Sequence, residues 1–223
     1  YDKQADGSYA KLARPCVDTG MGVERTSTIL QGYKSVYDTE LFQPILKALG
    51  GRFGHVYNSA PNDPAAVAKD QSLRIISDHV KTACFILGDA KAVRPSNLGA
   101  GYVLRRLIRR AIRHGKKLGA TEGFLAVPAE AVMGIYKDIY PELVEKRDFI
   151  LAELAAEESR FMETLESGEH EFAKMLPGLL KNPKKVIGGR IAFKLYDTYG
   201  YPIELTEELA AENGMTVDRE GFD

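Results

Sequence analysis

Residues 96–119, with the sequence S-N-L-G-A-G-Y-V-L-R-R-L-I-R-R-A-I-R-H-G-K-K-L-G, constrain the fold more strongly than any other stretch. A helix over residues 102–114, turning about 100° per residue, separates apolar from basic side chains without exception. One half of its surface is apolar and the other basic: Val103, Leu104, Leu107, Ile108, Ala111 and Ile112 against Arg105, Arg106, Arg109, Arg110 and Arg113. The pattern therefore predicts an amphipathic helix whose apolar half packs on a core.

The five arginines, here called the arginine face, have no Asp or Glu three or four residues away along the helix to neutralise them. An acidic helix of the same domain, for example within residues 142–171, is one candidate partner. Nucleic-acid phosphate is the other. Because the forked guanidinium group suits phosphate, five arginines without a lysine in the helix favour this second partner. We therefore expect the arginine face to bind nucleic acid.

Positive charge is concentrated in the same region. Residues 90–119 contain nine Lys or Arg and no acid, whereas the 223-residue chain has a net charge of −1. The rest of the chain therefore carries about −10 by difference. This asymmetry places any anionic partner next to the arginine face.

Composition excludes several kinds of protein and of site. The chain is 44% hydrophobic and 27% charged, which allows an ordinary core. It has no bilayer-length apolar run and no signal-peptide pattern, so we expect a cytoplasmic protein without a membrane partner. Cys16 and Cys84 lie far apart in the sequence. Because the chain has no Cys-x-x-Cys pair, the sequence does not indicate a metal site. Because residue 1 is Tyr, we expect a piece excised from a longer chain.

The first thirty residues predict a β-hairpin followed by a strand, a glycine turn and a helix. Turn residues at 5–8 separate two short segments, and residues 14–19 form an extended piece feeding a buried strand. Gly20-Met21-Gly22 then begins a helix that ends near Gln31, an arrangement in which backbone can approach a nucleotide. A tight strand-to-helix turn without a ligand explains this spacing equally well.

The remaining pattern is largely helical. Apolar spacing predicts helices at 37–49, 72–87, 127–140 and 141–176, the first of them ended by Gly50 and Gly51. We expect a loop at 177–189, a short apolar element at 191–196, a turn at 197–200 and a last helix from 202 to about 214. The predicted fold class is mainly α.

Several long segments resemble one family. V-D-T-G-M-G-V-E-R, residues 17–25, closely resembles motif 3 of class II aminoacyl-tRNA synthetases in the form found in alanyl-tRNA synthetases. Residues 74–83, 95–115 and 193–202 resemble the helical middle domain of that family, in the same order. The family carries charged residues where this chain has Leu98 and Ala100, so contacts of those side chains are not transferred.

The resemblance implies two domains. Residues 1–32 correspond to the C-terminal end of the antiparallel class II catalytic core, as a remnant made of a hairpin and a strand-turn-helix unit. Residues 33–223 correspond to the helical middle domain, which recognises the tRNA acceptor stem. Motifs 1 and 2 and the later editing domain are absent, so we expect the chain alone to be inactive.

The implied reaction joins alanine to ATP as alanyl-adenylate and then transfers alanine to tRNA(Ala), with magnesium at the catalytic site of the full enzyme. Zinc is expected only in the absent editing domain. In this frame Arg25 contacts the ATP phosphates or adenine, and Asp18 binds the α-ammonium group of alanine. Gly20 and Gly22 line the floor of the substrate pockets. Capping of the following helix is an alternative role for Asp18.

The resemblance also implies how the stem is read. The identity signal of the family is a G·U wobble pair, whose guanine amino group projects unpaired into the shallow minor groove. Asn97 and Asp197 match the two residues that read this pair, while the arginine face holds nearby phosphates. From the residues alone, an N-cap role for Asn97 and a turn role for Asp197 are preferred. A non-enzymatic helical RNA-binding module remains the alternative function.

Overall fold

The structure is a computed structural model that describes residues 1–14 and 20–222. Its helices are α1 (Val23–Leu30), α2 (Gln43–Phe53), α3 (Pro64–Gly88), α4 (Gly99–Lys117), α5 (Ala126–Tyr136), α6 (Glu142–Glu145), α7 (Arg147–Leu180), α8 (Gly189–Tyr199) and α9 (Ile203–Glu212). Strand β1 (Asp2–Lys3) pairs antiparallel with β2 (Tyr9–Ala10), and β3 (Val186–Ile187) pairs parallel with β4 (Thr216–Val217). The predicted fold class, mainly α, is confirmed, and so is the N-terminal hairpin.

Two helices in the first half differ from their predicted bounds. Helix α2 begins at Gln43 and not at residue 37, after a short 3₁₀ helix at Val36–Asp38. It continues through Gly50 and Gly51 to Phe53, and Gly54 caps its end with a left-handed φ of 62°, which suits glycine. Helix α3 begins earlier than predicted, because the side chain of Asp63 accepts a hydrogen bond from the backbone N–H of Ala66 at 3.0 Å. Local capping therefore fixes the C-terminal end of α2 and the N-terminal end of α3.

The predicted short element and turn at 191–200 form a single helix, α8. Ala192 and Leu195 are buried and Tyr199 is half-buried, which is helical spacing continued through Asp197. Gly200 then ends the helix with a left-handed φ of 56°. The predicted turn at Asp197 is therefore wrong, since this residue lies in the last turn of α8. The single helix predicted at 141–176 is two helices, α6 and α7, which are separated at Lys146. Helix α7 continues through Pro177 to Leu180, where the prediction placed a loop.

Helix α4 lies at the centre of the core, as most of its apolar half predicts; Val103, which belongs to the predicted apolar half, is instead 44% exposed. The structure buries Leu104, Ile108, Ala111 and Ile112, each of them at most 1% exposed. These side chains pack against α3 and α7, while α2 and α5 complete the core around α3. The opposite half of α4, which carries the arginines, faces α7 and α9.

Candidate nucleic-acid interface

A pocket of about 390 Å³ lies between the start of α4 and the end of α8. Ten residues from these two regions line it: Asn97, Leu98, Tyr102, Arg105, Arg106, Arg109, Tyr196, Asp197, Gly200 and Pro202. Asn97 and Asp197, which are far apart in sequence, both line this pocket. The pocket thus combines an amide, a carboxylate and three guanidinium groups.

The structure rules out the local roles that the residues alone suggested for these two side chains. Leu98, and not Asn97, is the N-cap of α4, with an extended backbone. The side-chain oxygen Oδ1 of Asn97 instead accepts a hydrogen bond from Nη1 of Arg105. Asp197 lies within α8 and is exposed, so it forms no turn. Neither the N-cap nor the turn therefore explains these residues.

The arginine face has internal partners, which corrects the preference for phosphate over an acidic helix of the same domain. Helix α7 contributes Glu157, and α9 contributes three glutamates at a spacing of four residues. The ion pairs are Arg105 with Glu157 (3.2 Å), Arg109 with Glu157 (2.6 Å), Arg106 with Glu204, Arg110 with Glu208 (2.5 Å), and Arg113 with Glu208 and Glu212 (both 2.9 Å). Four-residue spacing on two facing helices makes this pairing possible.

Burial divides the arginine face into two groups. The side chains of Arg109 and Arg113 are only 5% and 1% exposed, so their guanidinium groups are buried against internal glutamates and are not accessible to an external anion. Burial lowers the pKa of Arg109, and the adjacent Glu157 opposes that shift. The side chains of Arg105, Arg106 and Arg110 are 24%, 37% and 39% exposed, which leaves them accessible to an external anion. Binding of tRNA by the face stays a prediction.

Arg113 is the centre of a buried network. Its Nε donates to the Tyr201 hydroxyl at 3.1 Å, while Nη1 and Nη2 donate to Glu208 and Glu212, each at 2.9 Å. Burial alone would raise the pKa of Glu208, but His114 and the two arginines beside it outweigh burial and lower the pKa to about 2. This network joins α4 to α9.

The glutamates of α9 were missed by the sequence prediction, although a signal for them exists. Glu204, Glu208 and Glu212 repeat every four residues, as Arg106 and Arg110 do on α4. Matching periods of opposite charge on two helices indicate that the faces pair with each other. Glu157 carries no comparable signal, because it is one of many acids along α7.

The residues matched to motif 3 lie at the other end of the described chain. The structure places Gly20, Gly22 and Arg25 in exposed positions around the start of α1, and Gly22 is its N-cap. Asp18 lies outside the described residues, as do residues 15–19 of the predicted extended piece. An ion pair between Glu24 and Lys81 attaches α1 to α3. The predicted roles of Asp18, Gly20, Gly22 and Arg25 in binding ATP and alanine stay predictions.

Within residues 1–14 and 20–222, no three His, Cys, Asp or Glu side chains are grouped so that they could hold a metal ion. In the same ranges, no helix is both long and apolar enough to cross a membrane.

Comparison with known proteins places the chain in a family. Residues 1–223 match the family model described as tRNA synthetases class II (A). The chain is 62% identical to the alanine–tRNA ligase of Treponema denticola and 54% identical to that of Treponema pallidum. Each match spans all of this chain and 36% of the relative. The alanine–tRNA ligase of Caldicellulosiruptor saccharolyticus is 44% identical, with 24% of its length covered. Because the family model matches the chain from end to end, the chain belongs to the class II (A) tRNA synthetases.

Proposed function

We propose that this chain acts within a longer alanine–tRNA ligase, in which it binds the acceptor stem of tRNA(Ala). Relatives at 54% and 62% identity carry the name alanine–tRNA ligase, and the chain spans about a third of their length. The ligase as a whole joins alanine to ATP and transfers the activated alanine to tRNA. The segments outside this chain supply the rest of the catalytic site.

The observation that carries this proposal is the shared pocket of Asn97 and Asp197. A guanine amino group left unpaired by a G·U wobble is a donor, and it needs acceptors in the minor groove. Asp197 offers carboxylate oxygens, and Asn97 Oδ1 has a second lone pair besides the one that Arg105 uses. The pocket therefore offers two acceptors for this donor.

Phosphate binding falls to the accessible arginines. Arg105 and Arg106 line the pocket, and Arg110 lies one turn further along α4. Their glutamate partners leave each of them partly exposed, so a phosphate oxygen can share the guanidinium donors. Arg109 and Arg113, in contrast, hold α4 against its neighbours. This division revises the expectation that all five arginines bind the stem.

Residues 1–32 form, in this proposal, the end of the catalytic core, and residues 33–223 form the stem-binding domain. Arg25 at the start of α1 contacts ATP, and Gly20 and Gly22 let ATP and alanine approach the backbone. ATP requires a divalent cation, and the family as a whole works with magnesium. The described residues offer no acidic cluster for it, so the proposal assigns no metal ligand to this chain.

The test uses the full-length ligase with Asn97→Ala and Asp197→Ala. Each variant should lower kcat/KM for tRNA carrying the G·U pair by about tenfold or more, because base-edge contacts contribute about 1–3 kcal/mol. Adenylate formation, measured by ATP–pyrophosphate exchange, should stay near the wild-type rate. On a stem with G·C in place of G·U, the variants should differ little from wild type.

Leu98→Ala is the matched control, because Leu98 lines the same pocket but its side chain cannot accept a hydrogen bond. Leu98 is 82% exposed, so its truncation should leave the fold intact. Equal loss of activity on the G·U and G·C stems in the Asn97 and Asp197 variants would contradict the proposed readout.

A further inference from the structure

One buried carboxylate contacts two of the arginines that line the pocket. Glu157 of α7 is only 3% exposed, and its oxygen Oε1 accepts from two guanidinium groups. The two distances are 3.2 Å to Nε of Arg105 and 2.6 Å to Nε of Arg109. Because these arginines are one turn apart on α4 and carry like charges, Glu157 offsets their repulsion.

Each of the two arginines extends from Glu157 to a different side of the pocket. Nη1 of Arg105 donates to Oδ1 of Asn97, at the start of α4. Nη1 of Arg109 donates to the backbone carbonyl oxygen of Gly200, which ends α8. Asp197 lies in the last turn of that same helix. Glu157 is thus connected to Asn97 through Arg105, and to the C-terminal end of the helix that carries Asp197 through Arg109.

The geometry of Arg109 leaves this connection little freedom. Its guanidinium carbon lies 4.8 Å from the ring centroid of Phe161, which packs against one face of the planar group. A Cβ atom at Gly200 would lie 2.9 Å from Nη1 of Arg109, so the end of α8 rests directly on the guanidinium group. Displacing Arg109 would therefore also displace the end of α8.

We propose that Glu157 is a positioning residue for reading the acceptor stem. Its carboxylate fixes Arg105 and Arg109, and these fix the distance and orientation between the acceptors of Asn97 and Asp197. This inference rests on the proposed function, since it assigns Glu157 a role in the same pocket. Glu157 does not contact RNA, and it acts only through the two arginines.

The main test is Glu157→Gln in the full-length ligase, measured as the ratio of kcat/KM on the G·U stem to that on the G·C stem. The substitution keeps shape and removes charge, so both guanidinium groups lose their charged acceptor. We expect the ratio to fall about tenfold, because small misplacement of contact groups costs up to about a hundredfold. Adenylate formation should be unchanged.

Glu158→Gln is the matched control. Glu158 is the next residue on α7 and is 1% exposed, but it accepts from the backbone N–H groups of Phe124 and Leu125 at 3.1 and 3.3 Å. It therefore holds the start of α5 and touches neither arginine. A merely structural role of a buried glutamate would change both variants alike, whereas positioning changes the stem ratio only in Glu157→Gln.

Two further variants keep the proposal testable if Glu157→Gln is unstable. Arg105→Lys retains the charge at a partly exposed position but cannot bridge Glu157 and Asn97 with one planar fork, so the stem ratio should fall. In an Asn97→Ala, Asp197→Ala background, Glu157→Gln should change the ratio no further, because it acts through those two residues.

A wild-type stem ratio in both Glu157→Gln and Arg105→Lys would overturn the inference, as would an equal fall in Glu158→Gln. Failure of the proposed function gives a different result. In that case Asn97→Ala and Asp197→Ala themselves leave the ratio unchanged. If Asn97→Ala and Asp197→Ala lower the ratio but neither Glu157→Gln nor Arg105→Lys does, only the positioning role of Glu157 is wrong.

Discussion

The Arg113→Ala variant should be less stable to unfolding than the wild type. The sequence alone, in contrast, places Arg113 among the phosphate-binding residues. The substitution removes donors from Tyr201, Glu208 and Glu212 at once. Tyr201 is completely buried, so its hydroxyl would be left without this partner. The two glutamates would lose their shared, buried cation, while Glu208 keeps Arg110 and Glu212 keeps Lys117.

The magnitude follows from burial. Removing one partner of a buried ion pair costs about 3–5 kcal/mol. The side chains of Glu208 and Glu212 are 22% and 41% exposed, so water partly replaces the lost donors and the lower figure, about 3 kcal/mol, applies. For a domain of this size, that loss lowers Tm by about 6–12 °C.

Arg110→Ala is the matched comparison, because Arg110 also pairs with Glu208 but its side chain is 39% exposed. Exposed pairs contribute about 0–1 kcal/mol, so this variant should unfold close to wild type. Urea unfolding of the 223-residue chain, followed by circular dichroism at the helical band, measures both. A loss of stability in Arg113→Ala no larger than that in Arg110→Ala would contradict the structural role of Arg113. Weaker tRNA binding by Arg113→Ala at unchanged stability would contradict it as well.

Three more predictions concern ATP, phosphate and acid. Arg25→Ala in the full-length ligase should slow ATP–pyrophosphate exchange much more than it weakens tRNA binding; equal losses would place Arg25 elsewhere. A plot of log affinity for the tRNA stem against log salt concentration should be less steep by about one for Arg106→Ala, since one phosphate contact is lost. An unchanged slope would indicate that Arg106 pairs only with Glu204 and binds no phosphate. The pKa of Glu208 is lowered from 4.5 to about 2, so its charge stabilises the fold above pH 4.5. About 3 kcal/mol should be lost as the pH falls from 4.5 to 2, and Glu208→Gln should lack this loss in urea unfolding.

Local periodicity was enough to predict most helices. The sequence predicts helix α4 because eleven of residues 102–114 separate into an apolar and a basic half, and the structure extends this helix to Gly99 and Lys117. The prediction divides helix α8 wrongly because Asp197 followed three residues later by Gly200 resembles a turn, whereas the apolar spacing continues past Asp197 to Tyr199. Gly200 therefore marks the C-terminal end of α8 and not a separate turn.

The partners of the arginine face are harder to predict than the helices, because pairing between α4 and α9 joins residues nearly a hundred positions apart and only the matching periods of opposite charge point to it. Local spacing shows that Arg113 lacks a partner on its own helix, but not that Glu208 and Glu212 approach it. Asn97 and Asp197 were found through family resemblance and not through their local pattern, which favoured a cap and a turn. The structure contradicts both local roles and brings the two residues into one pocket.

Replacing the wobble guanine of the acceptor stem by inosine removes a single group, the exocyclic amino group that Asn97 and Asp197 are proposed to accept from. Aminoacylation of the two stems by the full-length ligase should differ by about tenfold or more in kcat/KM for the wild type. The Asn97→Ala, Asp197→Ala double variant should charge both stems at the same low rate. Equal charging of the guanine and inosine stems by the wild type would contradict the proposed readout, as would continued discrimination by the double variant.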